Sequence, residues 1–239
     1  MNSIPLTNDD SPREVPVTSD AGLPIFLLSG MAADERLFAD QQAVFPNLRV
    51  LPWIEPQPGE TLRCYAERIS RQIDPSQPCL IGGASFGGIV ALEMAQHIPA
   101  VACILIGSLR SPDELPLRWK WLRPIAAFGP EFIRKVAVFA GRYGRPFLSK
   151  SQLRRFRKLS RPDASFVRWA ICAVLQWKGR QATHSIPIYQ IHGSADEVLP
   201  LALTHPDIVV AGGVHALPIF SPTEVSRFIA DVIAKTGAR

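Results

Sequence analysis

The chain has 239 residues, 47% of them hydrophobic, and a formal net charge of +5. That length fits one large domain, or one domain with an insertion, and it supplies enough apolar chain for a substantial core. No apolar run approaches the roughly 18 residues that a membrane span needs, and the N-terminus lacks a basic stretch followed by an apolar one. The expectation is therefore a cytoplasmic protein with no signal peptide and no transmembrane segment.

In chain order, residues 1–22 are polar, with several Pro and Asp, and read as a flexible N-terminal arm. Six short apolar runs follow, at 23–29, 48–53, 78–84, 101–107, 186–192 and 207–211. Helical patterns at 34–44, 61–73, 86–97 and 222–235 fall between or after them. Thr61 is placed to cap the second of these helices, and Ser221-Pro222 reads as a cap followed by Pro at the first helical position. Short apolar runs alternating with amphipathic helices indicate an α/β fold with a mostly parallel sheet covered on both faces. Gly87, Gly88, Ala91 and Ala95 form a small-residue stripe that would let the third helix lie close to the sheet.

Between the fourth and fifth runs the rhythm changes. Residues 110–180 hold 17 Lys/Arg against four acids, a local +13, while the rest of the chain holds 9 against 17, a local −8. Breaks near Gly129-Pro130, Gly144-Arg145-Pro146 and Arg161-Pro162 divide the block into three or four helices. Phe166, Trp169, Ala170, Ala173, Val174 and Trp177 recur at helical spacing. Such a segment is too long for a plain connection. The domain expectation is a core of 23–109 and 183–239, with a helical basic cap inserted at 110–182.

Chemistry concentrates at three points. Gly83-Ala84-Ser85-Phe86-Gly87 is a G-x-S-x-G run set between an apolar strand and a helix. That context is a nucleophile elbow: the tight turn lifts a serine oxygen above the sheet and turns the following N–H, that of Phe86, toward the reacting carbonyl. A serine nucleophile needs a base, and the base an orienting acid. His215 follows the last apolar run inside a glycine-containing loop, and Asp196 lies just past the run at 186–192. All three fall at the carboxyl ends of strands, where ligands gather in open parallel sheets. His192 reads as a strand-end residue that packs or bonds locally. Four cysteines (Cys64, Cys79, Cys103 and Cys172) show no metal-ligand or redox spacing. Three sit in apolar runs and read as buried free thiols in a reducing compartment.

Taken together, the elbow, the segment His192-Gly193-Ser194-Ala195-Asp196-Glu197-Val198-Leu199-Pro200 and Gly213-Val214-His215 resemble the α/β-hydrolase superfamily over nearly the whole chain after the arm. The elbow and its helix also resemble thioesterases and small esterases. The resemblance implies an eight-stranded sheet shortened at its start. It implies a catalytic Ser85, Asp196 and His215, with an oxyanion hole formed by the backbone N–H groups of Met31 and Phe86. The family commonly has His-Gly where this chain has Ser29-Gly30. Some thioesterases of this kind carry the acid after an earlier strand, but here that strand ends Ile106-Gly107-Ser108 without a carboxylate.

The expected function is a serine hydrolase of an ester or thioester, with no cofactor and no metal. Its partner would be a small-molecule acyl substrate. Two alternatives stay open. One is a lyase or carbon–carbon hydrolase of an anionic substrate, since the basic block resembles that of the pyruvate-eliminating synthase of menaquinone biosynthesis. The other is a non-enzymatic hydrolase-fold receptor. Dehalogenases of the same fold use an aspartate nucleophile, which the serine excludes. Arg118, Arg123, Arg134, Arg142 and Arg145 are candidate contacts for an anionic group, although the same charge would equally solvate helix faces or attract an anionic membrane. No nucleic-acid motif is present.

Overall fold

The computed structural model describes residues 22–120, 163–179 and 186–237. The arm expected at 1–22, apart from its last residue, and most of the 110–182 insertion lie outside these residues. Six strands form one sheet: β1 (Ile25–Leu28), β2 (Leu48–Val50), β3 (Cys79–Ala84), β4 (Ala100–Ile106), β5 (Ile188–Gly193) and β6 (Ile208–Val210). Their order is β2-β1-β3-β4-β5-β6, and every neighbouring pair is parallel. Each strand coincides with one of the six apolar runs.

Numbered over the described residues, the helices are α1 (Ala39–Val44), α2 (Leu62–Ser70), α3 (Phe86–Met94), α4 (Leu117–Lys120), α5 (Ala164–Gln176), α6 (Leu217–Phe220) and α7 (Pro222–Gly237). Two apolar layers sandwich the sheet, and the strand residues divide between them with the period of two that a pleat imposes. Cys79, Ile81, Cys103 and Leu105 face one layer, built from α2, α3 and α5. Leu80, Ala84, Ala102, Ile104 and Ile106 face the other, which includes Phe38, Leu217, Phe228 and Ile229. Both faces of β3 and β4 are dry, so these strands read as continuous apolar runs rather than alternating ones.

The helix expected at 34–44 is split. Asp34 accepts from the Arg36 N–H and starts a tight turn at Glu35–Phe38, with α1 following. Thr61 caps α2 by accepting from the Cys64 N–H. The helix expected to reach His97 ends at Met94, a few residues before Pro99, whose ring disfavours helical geometry in the residue ahead of it. The four cysteines are free thiols, with Cys64 exposed and the others buried. Burial pushes the Cys79 thiol up to about 11. Among the described residues no helix is long and apolar enough to cross a membrane.

The strand order reverses at one point. From β1 the chain runs outward to β2, then returns to place β3 on the other side of β1. The chain leaving β1 and the chain leaving β3 therefore turn in opposite directions, and such a switch point, beyond the carboxyl ends of the strands, is where open parallel sheets hold ligands. Ser85 follows β3 directly and Ser29-Gly30-Met31 follow β1 directly, so both lie at this switch point.

Candidate active site

Ser85 sits at the junction of β3 and α3 with φ 53° and ψ −120°. It is the one non-glycine residue with positive φ among the described residues. Such a conformation costs about 1–3 kcal/mol and persists only where the surroundings over-determine it. Here they do. The Ser85 N–H donates to the Ile106 carbonyl at 3.0 Å, and the Gly88 N–H donates to the Ser85 carbonyl at 3.1 Å. The buried Ser108 hydroxyl donates to the same Ser85 carbonyl at 2.6 Å.

The elbow glycines answer a packing need. A Cβ on Gly87 would lie 2.3 Å from the carbonyl oxygens of both Leu28 and Ser29, and one on Gly83 would lie 2.5 Å from the Gly87 carbonyl carbon. The obstacles are backbone and cannot rotate away. Gly87→Ala is therefore expected to destabilise the fold by at least about 3 kcal/mol, measured by denaturant unfolding. A loss under about 0.5 kcal/mol, the range of an ordinary surface change, would contradict this packing.

His215 lies on the loop between β6 and α6. The buried Asp196 carboxylate fixes its tautomer: Nδ1–H donates to Asp196 Oδ2 at 2.8 Å. The other nitrogen, Nε2, accepts from the Ser85 hydroxyl at 2.8 Å. Asp196 is itself held, since its Oδ1 accepts from the N–H groups of Val198 at 2.9 Å and Leu199 at 2.8 Å. The loops carrying Asp196 and His215 are joined by Ala195 N–H to the Gly213 carbonyl (2.9 Å) and Ser194 N–H to the Val210 carbonyl (2.9 Å). Three residues separated by up to 130 positions thus meet in one hydrogen-bonded line.

Met31 lies in a turn closed by the Ala33 N–H on the Gly30 carbonyl at 3.0 Å. A Cβ on Gly30 would be 3.8 Å from the Ser85 Cβ, so this turn runs beside the serine. At the position where the family has histidine, the Ser29 hydroxyl donates to the Ala33 carbonyl at 2.8 Å and accepts from the Trp53 indole N–H at 3.0 Å. The backbone N–H groups of Met31 and Phe86 find no acceptor among the described residues. Phe86 N–H also opens α3, where the helix dipole favours negative charge.

The Phe86 ring is buried against Trp53 (5.5 Å between centroids), Phe166 (6.1 Å) and Trp169 (6.0 Å). The last two belong to α5, and they account for the helical spacing seen in the sequence. At the far end of α5, the Trp177 indole N–H donates to the buried Glu93 carboxylate at 2.7 Å, tying this segment to α3.

Of the five arginines considered for substrate, Arg123, Arg134, Arg142 and Arg145 lie outside the described residues. Arg118 turns its Nη2 to the carbonyls of Glu197 (2.7 Å) and Val198 (2.9 Å), on the loop that carries Asp196. Sequence reading gave no role to Ser108, Ser29 or Trp53. Their partners lie 23, 4 and 24 residues away, and no local pattern announces such pairings.

Residues 21–228 match the profile of the Alpha/beta hydrolase family. The chain belongs to this family. Among solved structures, this alpha/beta hydrolase is similar to a thermophilic esterase from Thermogutta terrifontis, at 20% identity over 90% of each chain with a TM-score of 0.65. It is also similar to a hydrolase from Pseudomonas aeruginosa PA01, at 19% identity over 89% of this chain and 90% of the other, TM-score 0.61. A third is MenH from S. aureus, at 16% identity over 90% of this chain and 94% of the other, TM-score 0.60. At these identities the likeness is one of fold. No curated protein matches the chain.

Proposed function

We propose that this alpha/beta hydrolase cleaves a carboxylic ester or thioester through an acyl-enzyme on Ser85. The observation that carries the reading is the continuous line Ser85 Oγ–His215 Nε2, His215 Nδ1–Asp196 Oδ2, with both links at 2.8 Å. His215 takes the Ser85 proton as the oxygen attacks the carbonyl carbon. The oxyanion is received by the N–H groups of Met31 and Phe86, each such donor being worth about a hundredfold to a thousandfold in rate. His215 then returns the proton to the departing alcohol or thiol. Water enters, gives its proton to His215 and releases the acid by the reverse sequence. Asp196 orients the imidazole and stabilises its cation without taking the proton. The chemistry calls on no metal or cofactor. The test is turnover of p-nitrophenyl acetate and a short acyl thioester by the purified chain, expected with saturation kinetics. Absence of turnover on both would count against it.

We also propose that 110–182 forms a cap over the strand ends that carry Ser85, Asp196 and His215. Support comes from α5, whose Phe166 and Trp169 pack on Phe86 beside the serine. The block's +13 favours a substrate bearing a carboxylate or phosphate. Arg118 is engaged with the Asp196 loop, so Arg123, Arg134, Arg142 and Arg145 remain the candidates for that contact. At least one Arg→Ala change among these four is expected to raise KM about tenfold or more for an ester of a dicarboxylic acid. It should leave KM for a neutral ester of similar size nearly unchanged, and the difference should shrink with salt. Equal effects on both esters would make the charge a solvated surface and point to a neutral or lipid-like acyl group. Processing of an anionic non-ester with the same triad would favour the lyase. Labelling of Ser85 with only slow turnover would favour a receptor. Three buried free thiols suit a reducing compartment.

A further inference from the structure

His192 is the second-last residue of β5, and its side chain is fully buried. The turn that follows β5, closed by the Asp196 N–H on the Gly193 carbonyl, brings the Asp196 carboxylate back beside Nε2 of the ring. His192 Nε2 then faces two acceptors. The Leu199 carbonyl is at 2.7 Å, and Asp196 Oδ2 is at 3.4 Å. Neither can donate, so the ring proton sits on Nε2. Nδ1 is buried and has no hydrogen-bond partner among the described residues. A proton there would be a stranded buried donor, at a cost of about 1–3 kcal/mol, so one neutral tautomer is selected.

The arrangement is a closed circuit. Leu199 N–H donates to Asp196 Oδ1, the Leu199 carbonyl accepts from His192, and His192 adjoins Asp196 Oδ2. That second oxygen is the one that accepts from His215. Burial holds the His192 imidazole below the usual histidine range, against the opposing pull of the Leu199 carbonyl and Asp196. The groups whose charge reaches it are Asp196 and His215; the flanking strands β4 and β6 carry no charged side chain.

We propose that His192 is a positioning residue for Asp196: a neutral imidazole, protonated at Nε2, that ties the acid's turn to the end of β5 and keeps Oδ2 aimed at His215. The proposal rests on reading Ser85, His215 and Asp196 as the catalytic line. The tie runs through Leu199, whose carbonyl accepts from His192 and whose N–H holds Asp196 Oδ1. Removing the His192 donor frees that turn, so Oδ2 is held less firmly against His215 Nδ1–H.

The test compares wild type with His192→Leu, which fills the space without a donor, and His192→Gln, whose amide N–H replaces Nε2–H. Two-bond proton–nitrogen spectra read the tautomer of His192, and the low-field proton resonance of His215 Nδ1–H reads its hydrogen bond to Asp196; neither needs substrate, so both stand even if esterase turnover is absent. In wild type, His192 is expected as the Nε2–H tautomer, with burial holding its imidazole below the ordinary value of 6.5. The low-field His215 Nδ1–H resonance is expected to broaden and move upfield in the leucine variant and to return toward wild type in the glutamine variant. On p-nitrophenyl acetate, kcat should fall about tenfold in the leucine variant with KM within about twofold, and glutamine should restore most of it. An Nδ1–H tautomer, a His192 cation at pH 7, or the same His215 Nδ1–H resonance in all three proteins would overturn the proposal. If His192→Leu does not fold, the wild-type tautomer and the His215 Nδ1–H resonance in His192→Gln still decide it.

Discussion

Replacing Ser85 with alanine is expected to lower kcat on p-nitrophenyl acetate by about 10⁴- to 10⁶-fold while leaving the fold intact. Among the described residues the side chain makes one hydrogen bond, to His215. The constraints on the backbone come from Ile106, Gly88 and Ser108, and alanine keeps all of them. A methyl group fits wherever the serine Cβ fits, and alanine at φ 53° bears a strain similar to that of serine. Circular dichroism and the melting temperature should therefore match wild type, so that the loss reports chemistry. The residual rate would measure what the Met31 and Phe86 N–H groups and simple binding contribute alone. A purified Ser85→Ala that keeps more than about a tenth of the wild-type kcat would show that another group does the attacking.

Asp196→Asn should cost about 10⁴-fold in kcat, for a reason legible in its contacts. The carboxylate accepts on both oxygens: Oδ1 from the N–H groups of Val198 and Leu199, Oδ2 from His215. An amide has one oxygen. If it serves the two backbone donors, the NH₂ faces His215 and forces its proton onto Nε2, where it opposes the Ser85 hydroxyl. If it serves His215, the NH₂ confronts two backbone donors in a buried site. The first arrangement is cheaper and gives the wrong tautomer. The variant should fold, bind substrate with a similar KM, and recover part of its rate at high pH as the serine ionises unaided. A kcat within tenfold of wild type near neutral pH would remove Asp196 from the mechanism and draw attention to Glu197 beside it.

Much of this architecture could be read from spacing, because a parallel sheet covered on both faces needs short continuous apolar runs, and β1 through β6 supply them. The elbow was readable because sterics leave so little choice: Gly83 and Gly87 face backbone atoms, and the serine between them adopts a conformation few residues tolerate. The expected places of Asp196 and His215, just past strand ends, are where the structure has them. Contacts set by the packing of distant segments could not be read. Nothing around Ser108 announces a bond to the Ser85 carbonyl, since the pairing depends on how closely β4 lies to α3. Arg118 is one of many basic residues in its block, and its two carbonyl partners are about 80 residues away. His192 read correctly as locally bonded, but its approach to Asp196 follows from the turn after β5 rather than from composition. The short helix α6 was missed because its four residues, with Pro218 near its start, present too little periodicity.

The central claim is that Ser85 is a nucleophile activated by His215. Its most direct measurement is the intact mass and peptide map of the chain after treatment with a fluorophosphonate, which is attacked only by an activated hydroxyl. One adduct per chain is expected, on the peptide containing Ser85, with no adduct in Ser85→Ala and a severely slowed reaction in His215→Ala. A wild-type chain that stays unmodified, or one labelled on another residue while Ser85 is recovered intact, would contradict it.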